Sequence, residues 1–473
     1  MMAVADPAPT QAPVAAALAS TSAGNGSREL SSTLSTSRAP APTLVVGVAF
    51  VVFAARFLGF THRYAANVLF WDHWAFLTPL FDGEGLWRIF RWRHGAHRQG
   101  LGGLTLAAVY RWTDWDGKAE ALACAALIVA GTLLAIGLKK RLVGQFSVLD
   151  AFIPMLALTL AQYEAVAGTT NPAHGPWMLP LATCAGFACL VGPPWLRATL
   201  LVLLHFLAAH TGFSIFLSLC ISGLLALEIT RTGTSADTRR WNIAALALSG
   251  VSFLVFFHGY VLDPYGHPES PAVDPLRFAA FSGLVLLRPF VVFEPGEVSS
   301  ALEWLAAGVL GAAIFFVLFT VRMVFRSESK LWRVVLLFAG TALLFVLDAA
   351  VGRMWLGYAG AKASRYVTYT VLFWIGLYYA LASAKSLAAR VSSIVLIAAA
   401  TFSATHQSAA FLEAQHYLDW KTNWSRCYLK EHNTGACDAR FPALFVRGSA
   451  ELQPKLDYLE QHHLNFFKDA GRP

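Results

Sequence analysis

Apolar residues recur along this chain in blocks long enough to cross a bilayer, and that repetition limits the fold more than any motif does. A hydrocarbon core about 30 Å thick takes roughly 20 apolar residues of helix, and within it each backbone N–H and C=O must be satisfied inside protein. Eleven runs are read, at 43–60, 119–138, 148–162, 177–191, 197–210, 213–230, 241–260, 301–321, 334–351, 367–383 and 391–408, the pair between Arg197 and Arg231 being short. Composition agrees: 56% of residues are hydrophobic and 14% charged, where a soluble domain carries about 25% charged residues. The expected fold class is an all-α polytopic membrane protein with about eleven transmembrane helices.

The basic residues orient these runs. With the N-terminus in the cytoplasm, the inner connections hold Lys139, Lys140 and Arg141, then Arg197, then Arg231, Arg239 and Arg240. Arg322, Arg326, Lys330 and Arg333 follow, and finally Lys385 and Arg390. Every one is basic, as the positive-inside bias requires. The same bias accounts for the net charge of +8, which is therefore no argument for a nucleic-acid partner. Residues 1–42, rich in Ala, Ser, Thr and Pro, read as a disordered cytoplasmic arm. They make a poor signal peptide, because the first apolar run is long enough to stay in the membrane as an anchor. The stretch "GLGGLTLAAVYRW", 100–112, would invert everything downstream if it spanned, so it is read as an interfacial helix of the outer surface. Loops 61–118 and 261–300 and the tail 409–473 then share the extracytoplasmic face. Cys427 and Cys437 are the two cysteines in polar sequence, and on an oxidising face they can close a small loop as a disulfide.

The first outer loop opposes the charge bias with Arg63, Arg88, Arg91, Arg93, Arg98 and Arg111. Two readings stay open for Arg88, Arg91 and Arg93: binding of lipid headgroups at the interface, or binding of a phosphate or diphosphate by planar guanidinium groups. Asp72, between Trp71 and Trp74, is either a cap or ion-pair partner, or a general base whose proton affinity is raised by partial burial. His94 and His97, on one face if the segment is helical, suit hydrogen bonding to a phosphate or sugar hydroxyl. Two histidines without a third ligand are weak evidence for zinc, so no metal and no cofactor is expected, a divalent cation being the lesser alternative. Glu164, beside Gln162 at the outer end of the third run, is a second carboxylate for the same pocket or an ordinary helix-end acid. Arg353, Lys362, Arg365 and Tyr366 lie in one short outer connection. Arg365 is read as a phosphate ligand in preference to a structural ion pair.

On Asp72 and Trp74, His97-Arg98, Gln162 with Glu164, Gly352-Arg353 and Arg365-Tyr366, the chain after Pro42 resembles bacterial membrane proteins built like the C-type (GT-C) glycosyltransferases. In that architecture a first span leads to a large outer loop with surface helices and an acidic residue, followed by many further spans. The resemblance implies an inner-membrane enzyme that moves a sugar from a polyprenyl-phosphate donor to a glycan, lipid or protein outside the cell. It implies Asp72 and Glu164 as catalytic carboxylates. Trp74, His94, His97, Arg98, Arg353, Arg365 and Tyr366 would bind substrate, with membrane lipids as surroundings. The family pattern has a second acid beside Asp72 and an Asn-Glu pair before His97-Arg98, where this chain has His73 and Gly95-Ala96. That departure keeps alive a catalytically inactive lipid-phosphate-binding scaffold. A flippase for lipid-linked sugars is disfavoured, because the ionisable residues gather at the outer boundary and not at mid-membrane.

Overall fold

The computed structural model describes residues 41–261, 274–291, 298–445 and 449–469; the N-terminal arm and most of the connections at 261–274 and 291–298 lie outside the described residues. The chain is an all-α polytopic membrane protein: nine of the described helical segments are long and apolar enough to cross a bilayer. Named in order, these are α1 (Ala41–Tyr64), α3 (Gly117–Val143), the run Val148–Ala165, α7 (Ile215–Thr230), α8 (Ala236–Phe257), α10 (Ser300–Arg326), α11 (Lys330–Arg353), α12 (Val367–Ser383) and α13 (Leu387–Thr405). The stretch read as interfacial is α2 (Gly100–Thr113), and the run at 148–165 contains α4 (Phe152–Ala157). Helices α5 (Met178–Leu190), α6 (Pro194–Ala209) and α9 (Pro275–Leu287) are apolar but shorter.

Two sequence expectations change. The region 261–300 is not loop throughout, because α9 is buried along Phe281, Leu284, Val285 and Leu286 and packs on α10. Its 13 residues are too few to register as a spanning run. The run at 148–165 is not one helix either. It breaks into Val148–Ala151, α4 and Leu160–Ala165, with Gln162 off helical geometry. The break is tolerated inside the bundle because its freed groups are answered: the Gln162 amide donates to the Ala157 carbonyl at 2.7 Å, and Gln407 accepts from Leu160 N–H at 3.3 Å and donates to Thr159 at 2.8 Å.

Helix directions sort the charges into two ends. The end of α1, the start of α3, Glu164, the ends of α8 and α11 and the start of α12 fall together with the first loop and the tail. At the opposite ends of α6, α7, α8 and α11 a buried cluster closes the bundle. Glu228 pairs with Arg197 at 2.9 Å and Arg333 at 2.6 Å and accepts from Asn242 at 2.9 Å. Lys139 pairs with Asp150 at 2.5 Å, and Asp150 also accepts from the Tyr378 hydroxyl at 2.6 Å.

The tail packs against the first loop. Helices α14 (Ser408–Glu431) and α15 (Ser449–Gln461) pack with the first loop into one hydrophobic cluster holding Phe70, Trp74, Leu77, Tyr110, Trp115, Trp424, Tyr428 and Leu456. Trp71 N–H donates to the Leu444 carbonyl at 2.6 Å and Asn465 N–H to that of Asp114 at 3.0 Å. A disulfide joins Cys427 to Cys437 within this lobe, with Cα atoms 5.8 Å apart.

Removing one partner from a buried charge cluster strands the others without compensation, at a cost of about 3–5 kcal/mol. Glu228→Gln is therefore expected to lower the melting temperature in detergent far more than an exposed substitution such as Glu328→Gln. Equal melting temperatures for the two variants would show that the cluster contributes nothing to stability.

Candidate functional site

Asp72 leads into a single helical turn, His73–Phe76, directly after Trp71, whose φ of 53° is unusual for so bulky a residue. The Trp71 ring stacks on Phe70 at 5.4 Å and meets Trp420 edge-on at 6.0 Å. Contacts with the tail thus hold the backbone in the conformation that aims Asp72. Its side chain is 48% exposed and lies 3.6 Å from His94 Nε2. Burial would raise the Asp72 carboxyl, but the hydrogen bond and charge of His94, with Arg365 behind them, bring it below the usual carboxylate range. The sequence expectation of a raised proton affinity is thereby reversed: Asp72 is an ionised carboxylate at neutral pH.

The histidines do not share a helix face. Arg93–His94 and His97–Arg98 form a two-stranded antiparallel hairpin, with His94 opposite His97 and Arg93 opposite Arg98. Gly95, at φ 60°, makes the turn, in place of the helix on which the two histidines would have shared a face. His97 is buried, and its Nε2 faces Nε2 of His174, with ring centroids 4.2 Å apart. His94 stands 6.2 Å from His97 and 6.3 Å from His174, centroid to centroid. Burial, reinforced by neighbouring His94, drops His97 to about 3, and burial with His97 puts His174 well below its ordinary value, so both rings are neutral. His174 arrives on the connection ahead of α5, pressed against α2 at Gly102, where a Cβ would lie 2.4 Å from Ala173 N. No spacing pattern announces it; a lone histidine in a Pro/Gly loop after a span was the available signal.

The remaining residues divide. Arg98 is buried, and each of its three side-chain nitrogens donates to a backbone carbonyl: to Phe256 at 2.9 Å, Arg91 at 2.6 Å and His258 at 3.0 Å. It ties the hairpin to the end of α8 and presents no nitrogen to a ligand. Trp74 is fully buried in the hydrophobic cluster that the first loop shares with the tail. Tyr366 is buried against Phe345, at 5.6 Å, beneath the Arg365 guanidinium. Glu164 is buried and ion-paired through Oε1 with Arg365; its Oε2 accepts from the Arg365 backbone at 3.3 Å. Ser364 completes the joint, accepting from Glu164 N–H at 3.1 Å and donating to the Ala161 carbonyl at 2.7 Å. Glu164 therefore fixes Arg365, whose side chain stays 35% exposed. Arg353, at the end of α11, is exposed, close enough for its charge to reach His97 and His174, and without a hydrogen-bond or ion-pair partner among the described residues. Asp72, His94, His97, His174, Arg353 and Arg365 form one cluster; Trp74, Arg98 and Tyr366 support it.

His73, next to Asp72 in the chain, is buried. Its Nδ1 contacts the Phe70 carbonyl at 2.6 Å, and its Nε2 meets Glu120 at 3.1 Å and Thr170 at 3.0 Å. Tyr110 donates to the other Glu120 oxygen. An apolar groove of about 530 Å³ runs between α2 and α3, lined by Leu101, Leu104, Trp112, Leu127 and Trp177 among others. Neither Asp72 nor a histidine lines it. A scan against models of protein families and a search of curated proteins both found no match for this chain.

Lys421 on α14 joins the parts of the site. It is buried, donates to the carbonyls of Ala167 at 2.9 Å and Gly168 at 2.6 Å, and lies 5.1 Å from the Phe70 ring. Burial, only partly opposed by Glu120, brings its amine down to about 7. Between about 7 and the ordinary lysine range the unfolded chain binds a proton that the folded protein does not, so folding gains stability as pH rises there. The limit is about 1.4 kcal/mol per pH unit. The melting temperature of the wild type relative to Lys421→Met should therefore climb from pH 7 to pH 9; a flat difference would show that Lys421 titrates normally.

Proposed function

We propose that this protein is a bacterial inner-membrane glycosyltransferase of GT-C-like architecture, with the Asp72 face outside the cell. It would move a sugar from a polyprenyl-phosphate donor to a glycan, lipid or protein acceptor. The eleven apolar runs are read as crossings, with α5 and α6 completing the nine longer ones, α2 lying on the outer surface and α9 entering and leaving on one side. The observation that carries the reading is an ionised, half-exposed Asp72 within reach of the Arg365 charge, in one cluster with the histidines that the Arg353 charge also reaches.

The chemistry is a single displacement. Asp72 takes the proton of an acceptor hydroxyl as that oxygen attacks the anomeric carbon. The bond from that carbon to the phosphate oxygen breaks with inversion, and the electron pair leaves with the phosphate. Arg365 and Arg353 take up the growing negative charge, a contribution worth about 2.7–4 kcal/mol per well-placed donor. The apolar groove beside α2 suits the polyprenyl tail, which needs a lipid-facing apolar surface and no polar partner. Glu164 acts as counter-ion to Arg365 in this scheme, which leaves Asp72 as the base.

One observation favours a second reading, a lipid-phosphate-binding scaffold without turnover. His73 stands in place of an acid and Glu164 is occupied by Arg365, so a single carboxylate is left free. Asp72→Asn separates the two. Under the transferase reading it abolishes sugar transfer by purified protein while donor binding and melting temperature persist. Transfer retained at the wild-type rate would remove Asp72 as base; a wild-type protein that binds donor without transfer would leave the scaffold. Orientation is checked by Ala96→Cys, at an exposed hairpin turn, which should react with a membrane-impermeant maleimide in intact cells. Labelling seen only after lysis would overturn the placement of the whole site.

A further inference from the structure

We propose that Trp71, Tyr417 and Trp420 form a shelf that binds a pyranose ring of a saccharide acceptor beside Asp72, which makes a glycan the acceptor class of this site. The shelf is built from the first loop and from α14, whose Tyr417 and Trp420 stand about one turn apart with rings near parallel, at 7°, and centroids 6.3 Å apart. Trp420 meets the Trp71 ring edge-on at 6.0 Å. Phe70 neighbours all three, 5.4 Å from Trp71, 5.8 Å from Tyr417 and 4.7 Å from Trp420. Trp74, Trp424 and Tyr428 of the same hydrophobic cluster are buried outright, whereas Trp71, Tyr417 and Trp420 each keep part of their surface open.

A pyranose ring has a face of C–H bonds, which lies well against an aromatic ring, and a rim of hydroxyls, which needs donors and acceptors placed around that ring. The rim groups are present. Asp72 follows Trp71 in the chain, ionised and 48% exposed. On the other side Tyr417 is close enough to Arg365 for their charges to interact. Its hydroxyl makes no side-chain hydrogen bond, and burial raises it, so it keeps its proton as a donor. Trp71 holds a φ of 53°, which a bulky residue keeps only where its surroundings impose it, and such residues gather at binding sites. The other acceptor classes fit this edge less well. A peptide needs free backbone partners, and the carbonyls of Pro442 and Leu444 are already taken, by Trp420 Nε1 at 2.5 Å and by Trp71 N–H at 2.6 Å. A lipid needs a long apolar slot, and none of the three rings lines the apolar groove between α2 and α3.

The role of acceptor rests on the transferase reading; the binding of a saccharide to these rings does not. The test uses the full chain, purified in a zwitterionic detergent because the sugar headgroup of a maltoside would compete. Pentasaccharides of glucose, mannose and N-acetylglucosamine are added in turn, and binding is followed by saturation-transfer difference NMR and by calorimetry. At least one is expected to bind, with the strongest transfer to its ring C–H protons. Trp420→Ala should weaken that binding at least tenfold, and Tyr417→Phe, which removes only the hydroxyl, severalfold. If Trp420→Ala fails to fold, Trp420→Leu keeps apolar bulk in the lobe and removes the flat ring. Binding of none of the three, or binding unchanged in the Trp420→Leu/Tyr417→Leu double variant, overturns the proposal. A saccharide bound through these rings by a protein that never transfers sugar would count against the transferase reading and not against the shelf. Sugar transfer to a lipid or protein at the wild-type rate in the double variant would keep that reading and remove the shelf.

Discussion

The ion pair between Glu164 and Arg365 fixes the geometry on which the site depends. It joins two places where the chain is not regular helix, the broken end of the run Val148–Ala165 and the turn Ser364–Tyr366 that starts α12. Irregular backbone at a membrane boundary is stable only where protein answers its polar groups. Here Ser364 and Glu164 answer them reciprocally. The pair also sets electrostatics, since an anchored Arg365 is part of what holds Asp72 ionised. A buried ion pair contributes little net stability once desolvation is counted. Its consequence here is a guanidinium held in one place while part of it remains open to water.

A second constraint is that the first loop cannot bury its own aromatic residues. Trp74, Trp115 and Tyr110 are covered only because Trp424, Tyr428 and α15 come back from the far end of the chain. Lys421 then bridges the Glu164 segment to Phe70, two residues ahead of Asp72. The catalytic candidates thus sit on loops, but on loops gripped from two sides. This satisfies the need for a rigid frame around a site built from short, irregular segments.

Much of the frame was legible in the sequence because bilayer thickness converts run length directly into helix. Each of the eleven runs lies in a helical region, and Cys427 and Cys437 are joined as their isolation in polar sequence suggested. What escaped was whatever depends on contacts between distant segments. The helix α9 was hidden by its length. The hairpin at Gly95 was hidden because one glycine's φ, not periodicity, decides between turn and helix. His174 and Lys421 carried no local signal, since each acquires its role from a partner far away in the chain. The direction of the Asp72 shift was misjudged because burial was weighed without His94 opposite it.

The excess arginine on this face has a mixed explanation, which the structure separates. Helix C-termini leave carbonyls without intrahelical partners and carry partial negative charge. Arg98 and Arg91 meet the carbonyls of Phe256 and His258 at the end of α8. Arg288, buried after α9, meets those of Lys362 and Val291 at 2.8 Å each. At a membrane boundary, where water is scarce, a guanidinium is well suited to this work because its charge never titrates and its fork reaches several acceptors at once. These three cations are held by backbone carbonyls and need no ligand to explain them. Arg353 and Arg365 differ: the first is exposed and the second partly so, and their charges reach the cluster of Asp72 and the histidines. If an anion binds beside Asp72 and the histidines, Arg353 and Arg365 are the guanidinium groups whose charges reach that cluster.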